Sequence, residues 1–130
     1  MDADVHAGHA LGRWGERSAA RFLERRGWTV LARNYRFGRR EVDLVVRRGD
    51  LIAFVEVKTR AGHGYGAPQE SITALKRREV EAVAAQFLAR HGLQDLNVRF
   101  DAVAIVVEGR GAASEVAIEH LEDAWRPGWP

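Results

Sequence analysis

The run from Glu41 to Lys58, EVDLVVRRGDLIAFVEVK, restricts the fold of this chain more than any other stretch. Its halves, 41–48 and 51–58, are rich in β-branched residues and meet at Gly49-Asp50, a dipeptide typical of two-residue hairpin turns. With that turn Arg48 opposes Leu51, Asp43 opposes Glu56 and Glu41 opposes Lys58. Opposed residues share a face and side chains alternate along a strand. Glu41, Asp43, Glu56 and Lys58 are therefore expected together on one side of a sheet. Three carboxylates and an amine among apolar residues are costly to bury unless paired or bound to metal. A cross-strand salt-bridge pair would account for Glu41 and Lys58. Asp43 opposite Glu56 is a like-charge pair, and a divalent cation such as Mg²⁺ or Mn²⁺ suits such hard oxygen donors.

Asp43 followed by Glu56-Val57-Lys58 on the next strand resembles the PD-(D/E)XK nuclease signature. The longer pattern Asn34-Tyr-Arg, Glu41-Val-Asp-Leu and Phe54-Val-Glu-Val-Lys-Thr-Arg60 is similar to the YraN family of bacterial endonuclease-like proteins. The likeness runs from Gly12 to about Val107. Two positions depart from the pattern: Val42, not Pro, precedes Asp43, and Arg40 stands where the family usually has Gly. The resemblance implies an α/β fold with a restriction-endonuclease-like core, a mixed central sheet of four to five strands flanked by helices. It implies Asp43, Glu56 and the Val57 carbonyl as metal ligands and Lys58 as the catalytic amine. Glu16, in Gly12-x-x-Gly15-Glu16, matches an acidic residue that reaches the metal site from the first helix. Taken without the resemblance, Glu16 reads equally well as an acid favoured by the helix dipole. Glu41 would orient Lys58 or join the metal shell.

The remaining sequence fits one domain of 130 residues, 46% hydrophobic and 29% charged, with ends at 1–10 and 126–130 loosely held. There is no cysteine, which excludes disulfides and thiolate metal sites. The five histidines make no ligand-spaced pair, and no Gly-x-Ser-x-Gly elbow supports serine chemistry. The start of the chain lacks signal-peptide character and no apolar run is of membrane-spanning length, so a cytoplasmic location is expected.

A formal charge of +2 says little about partners, but its distribution says more. Between Arg33 and Arg60 eight basic residues accompany four acids, three of which are the candidate ligands or their neighbour. Arg36, Arg39, Arg40 and Arg60 are the expected phosphate contacts. Residues 11–26 read as an amphipathic helix closed by Gly27, and 28–35 as a strand leading through a turn at 36–40. A glycine-rich segment, 59–68, reads as a lid, with His63 a solvent-exposed or phosphate-contacting residue. A helix is expected from Pro68 to His91, with Leu75 on its buried side and Gln69 and Glu70 as weaker site candidates. Lys76 lies near the apolar stripe, as a lysine reaching past a core towards phosphate would, although plain surface charge fits equally. Strands are expected at 97–107 and, shorter, at 115–121, with Arg99 and Asp101 bracing the edge of the site. A helix between strands 51–58 and 97–107 implies a parallel, right-handed connection.

The functional expectation is a Mg²⁺- or Mn²⁺-dependent endonuclease acting on nucleic acid. DNA is favoured over RNA, branched DNA is suggested by the likeness to resolvase-like nucleases, and homodimerisation is left open. The alternative is a catalytically silent nucleic-acid-binding module on the same fold.

Overall fold

The computed structural model describes residues 2–62, 71–109 and 113–128, with side chains from His9 onward. The order is α1 (Asp2–Arg25), β1 (Thr29–Phe37), β2 (Arg40–Arg48), β3 (Leu51–Ala61), α2 (Ala74–His91), β4 (Asn97–Glu108) and β5 (Glu115–Trp125). The five strands form one sheet in sequence order. Only β3 and β4 run parallel, in unbroken register from Leu51↔Asn97 to Ala61↔Val107, because α2 carries the chain back between them. The α/β architecture expected from the sequence is thus present, with one helix on each face of a mixed sheet. Among the described residues no helix is long and apolar enough to cross a membrane.

Each face has its own core. Ala19, Ala20 and Leu23 of α1 pack with Leu44, Val46, Ala53, Val55, Val103 and Ile105. Val80, Val83, Ala84 and Phe87 of α2 pack on Val45, Ile52, Phe54 and Phe100 from the other side. Near-continuous apolar runs in β3 and β4 follow from this, since a central strand buried on both faces needs no polar alternation.

Several boundaries differ from the sequence reading. β1 runs through Phe37 and turns on Gly38-Arg39, with Gly38 at φ 64°, so residues 36–40 are mostly strand. α2 starts at Ala74, where Thr73 accepts the Lys76 N–H at 3.1 Å as an N-cap. Pro68, Gln69, Glu70 and His63 lie outside the described residues. Leu75 is 61% exposed rather than buried, because the helix begins one residue before it. α1 starts at Asp2, earlier than its apolar stripe indicates, and β5 extends to Trp125.

Arg99 and Asp101 do not border the candidate site. Asp101, with 0% exposure, lies on the α1 face of β4. It accepts two hydrogen bonds from Arg99 (2.8 and 2.9 Å), one from His120 Nε2 (2.7 Å) and one from the Asp123 N–H (2.9 Å). Burial pushes the Asp101 carboxyl up, but the bonds from His120, Arg99 and Asp123 outweigh it and hold it below the ordinary range. The cluster ties β5 to β4 on the α1 side.

The approach of α1 to the sheet depends on Gly15. A Cβ there would overlap the Thr59 side chain. Gly15→Ala should therefore destabilise the fold by about 1–3 kcal/mol in urea unfolding, the usual cost of overpacking. Adding Thr59→Ala, which removes the nearest atom, should recover part of that loss. An equal loss in single and double variants would show that this contact does not set the spacing.

Candidate functional site

The hairpin has the expected turn, with Gly49 at φ 63° and pairs from Arg48↔Leu51 to Leu44↔Val55. There the pairing stops. The Asp43 carboxylate accepts the Val57 N–H at 2.8 Å, where a continued ladder would supply a backbone carbonyl. The N–H and C=O of an extended residue point to the same side of its strand. The Val57 carbonyl therefore opens into the same gap between β2 and β3.

The facing strand is irregular at the same level. In β2, Leu44 and Val46 pack on the α1 side and Val45 on the α2 side, as alternation requires. Val42 should join Leu44, yet it lies in the α2 core. In β1, Ala32 and Tyr35, three residues apart, also share the α2 side. The residues between are Asn34, which takes φ 48°, and Asp43, bracketed by the pairs Arg33↔Leu44 and Tyr35↔Val42. Both strands change phase there. Asn is one of the few residues that enter left-handed backbone at modest cost, and Tyr35 is then fixed by Phe87 (ring centroids 5.0 Å apart) and by donating to Gln86 Oε1 at 2.6 Å.

The phase change redistributes the charged residues. Glu56 and Lys58 share the α2 face with Ile52 and Phe54. Glu41, one residue beyond Val42, turns towards α1. The expectation that all four charges emerge on one face is thus corrected: strict alternation fails at Asp43. Glu41 pairs with Arg36 across β1 and β2 (Oε2 to Nη2, 3.2 Å), not with Lys58. Its backbone carbonyl accepts from Lys76 Nζ at 2.9 Å, and that ammonium lies 3.9 Å from Glu56 Oε1. Lys76 does reach past the core, and its contacts are with this cluster. Arg39 and Arg40 are exposed at the β1–β2 turn, and Arg60 donates to the Thr59 carbonyl at 3.4 Å.

Glu56 is 2% exposed, and its Oε1 has no hydrogen-bond partner among the described residues. Burial, then the neighbouring Asp43 charge, raises its carboxyl to about 9, against the opposing pull of Lys76 and Lys58. A hydrogen bond shared with Asp43 favours the same protonated form. Glu16 approaches from α1: burial and the charges of Asp43 and Glu41 push its carboxyl up, and a hydrogen bond with Asn34 opposes them. The four acids therefore form two overlapping groups joined at Asp43, Glu56 on one side and Glu16 with Glu41 on the other. Among the described residues no three acid or histidine side chains converge closely enough to enclose an ion. Asn34 was not singled out from the sequence as a site residue, although it opens the Asn34-Tyr-Arg run that carries the family likeness.

The raised Glu56 carboxyl has a thermodynamic consequence. Its folded value of about 9 exceeds the ordinary 4.5, so the folded chain holds an extra proton between those limits. Stability is fully present below pH 4.5 and is lost as pH rises towards 9, by up to about 1.4 kcal/mol per pH unit. Denaturant unfolding at a series of pH values should show this loss, and Glu56→Gln should remove most of it. Asp101, lowered from 3.8, acts below this window and with opposite sign. A pH-independent parent would contradict the buried, protonated Glu56.

Comparison with known proteins places these residues in a family. The model of the uncharacterised protein family UPF0102 matches residues 15–105. A UPF0102 protein of Rhodococcus jostii strain RHA1 is 44% identical over 116 residues, covering 89% of this chain and 96% of the relative. One from Roseiflexus castenholzii is 50% identical over 112 residues, 85% of this chain and 89% of the relative. One from Geobacter sulfurreducens is 42% identical over 120 residues, 92% and 91% of the two chains. With Glu16, Asn34, the Asp43–Glu56 gap and Lys58 all inside the matched span, the chain belongs to the uncharacterised family UPF0102, the YraN family.

Proposed function

We propose that this protein is a metal-dependent nuclease hydrolysing phosphodiester bonds in DNA, branched or structured DNA included. The observation that carries this reading is Glu56: a buried carboxyl beside Asp43, with an oxygen left without a partner, where β2 and β3 part. A pair of that kind is costly as packing and is relieved by a divalent cation. Asp43, Glu56 and the Val57 carbonyl supply hard oxygen donors of the kind Mg²⁺ and Mn²⁺ accept, and Glu16 would complete the set directly or through water. When bound, the ion supplies positive charge that polarises a phosphate oxygen and acidifies water.

The protein's own groups divide the remaining work. Lys58, whose charge is felt at Glu56, would position or deprotonate the attacking water and offset charge developing on the phosphate. Lys76 would hold the Glu41 backbone while balancing the acids. Arg36 would brace Glu41, and Arg39, Arg40 and Arg60 would supply phosphate contacts. The alternative of a silent binding module draws on one specific observation: among the described residues no three acid or histidine side chains converge on the gap.

Activity and metal binding separate the two readings. Millimolar Mn²⁺ should raise the melting temperature by mass action on the folded state, and Asp43→Ala should abolish the rise. On duplex, single-stranded and branched DNA with Mg²⁺ or Mn²⁺, Lys58→Ala should cut turnover by about 10²-fold or more while affinity changes little. A parent inert on every substrate, or a Lys58→Ala variant as active as the parent, would sink the nuclease and leave the binding module.

A further inference from the structure

The arginines expected from the sequence to meet phosphate cluster around the hairpin. A further group of arginines on the described surface lies elsewhere. α1 and β1 border a crevice of about 160 Å³ lined by Arg13, Glu16, Arg17, Arg33, Asn34 and Leu44. Arg13 and Arg17 are one turn apart on α1, a spacing that sets two side chains next to each other. Arg33 faces them from β1, on the α1 side of the strand. Three arginines and one carboxylate thus line the crevice, and that carboxylate is hydrogen-bonded to Asn34.

Like charges held together in this way repel unless an anion joins them. Among the described residues neither Arg13 nor Arg17 forms a hydrogen bond or ion pair, and Arg33 has only a 3.9 Å approach to Glu24 between half-exposed side chains. Leu44, almost fully buried, makes the floor apolar, and a low-dielectric wall strengthens a charge cluster's pull on an anion. Arg13, Arg17 and Arg33 are exposed, as Arg39 and Arg40 are, but they border one crevice whereas Arg39 and Arg40 stand on a turn. Glu16, which lines the crevice, feels the charge of Asp43 and is hydrogen-bonded to Asn34, so the crevice adjoins the candidate site.

We propose that this crevice is a phosphodiester-binding subsite, in which Arg13, Arg17 and Arg33 grip one backbone phosphate of a nucleic-acid strand beside the Asp43–Glu56 gap. The assignment rests on the nuclease reading for the class of ligand, and it deepens that reading by naming where the strand is held. Arginine suits the task because its planar fork binds phosphate oxygens two at a time. Arg21 and Arg25 continue the four-residue spacing along α1 but lie beyond the crevice, and they provide the internal control.

The test is fluorescence anisotropy of a short labelled single-stranded DNA, titrated over a range of salt concentrations in metal-free buffer. Arg13→Gln/Arg17→Gln, Arg33→Gln and the control Arg21→Gln/Arg25→Gln are compared with the parent. All are surface substitutions, and unchanged melting curves verify the fold. The crevice variants should each bind about ten-fold or more weakly, and the log–log salt slope should shrink by roughly 0.7, the value for one single-strand phosphate contact. The control should lose less in both. Crevice variants that bind like the parent, a control that matches them, or a parent that does not bind would each overturn the subsite. Cleavage is scored separately on the same proteins. Binding through the crevice without metal-dependent cleavage keeps the subsite and removes the nuclease; cleavage with unaltered binding in Arg13→Gln/Arg17→Gln does the reverse.

Discussion

The bond from the Val57 N–H to the Asp43 carboxylate decides the shape of everything around it. A backbone donor is obligatory and must be met, and meeting it with a side chain ends the ladder without leaving an orphan. The strands can then part while staying satisfied, and the opened space is lined by oxygen. The cost falls on Glu56, which is buried beside a second acid, and both burial and the Asp43 charge favour its protonated form.

Separating the acids by face changes how a site of this kind works. Had Glu41, Asp43, Glu56 and Lys58 stood in one row, the sheet would carry a single patch open to one side. Instead Asp43 lies between two groups, with Glu56, Lys58 and Lys76 towards α2 and Glu16, Glu41 and Arg36 towards α1. The basic residues follow the same division. Lysines attend the buried acid, where a compact ammonium fits a small space, and arginines line the α1 side.

Much of this was legible in residues 41–58. The Gly49-Asp50 turn fixed the register, and the register brought Asp43 to Glu56. The β3–α2–β4 order implied the parallel pair that is present. What escaped was the phase change at Asn34 and Asp43, because period-two alternation assumes an unbroken strand and a single left-handed residue defeats it. Glu41 was misplaced for that reason alone. Arg99 and Asp101 were expected at the edge of the site because they share a strand face and resemble the family's Arg-Phe-Asp, yet their parity put them with Val103 and Ile105 under α1. His120 and the Asp123 N–H, which complete that cluster, come from a strand whose full length its polar composition concealed. The α2 start was misread because Pro68 is a plausible first-turn residue, whereas Thr73 has the side-chain oxygen that caps.

The contact between Gly15 and Thr59 has a further consequence for Glu16. On an α-helix each residue is turned about 100° from the last, so a helix free to roll would carry the next side chain well away from any target on the sheet. Close seating of Gly15 on the Thr59 side chain of β3 removes that freedom one residue before it matters. Glu16 is thereby indexed to the same strand that bears Glu56 and Lys58, and two acids separated by forty positions in the chain are kept in angular step by an atom that is not there.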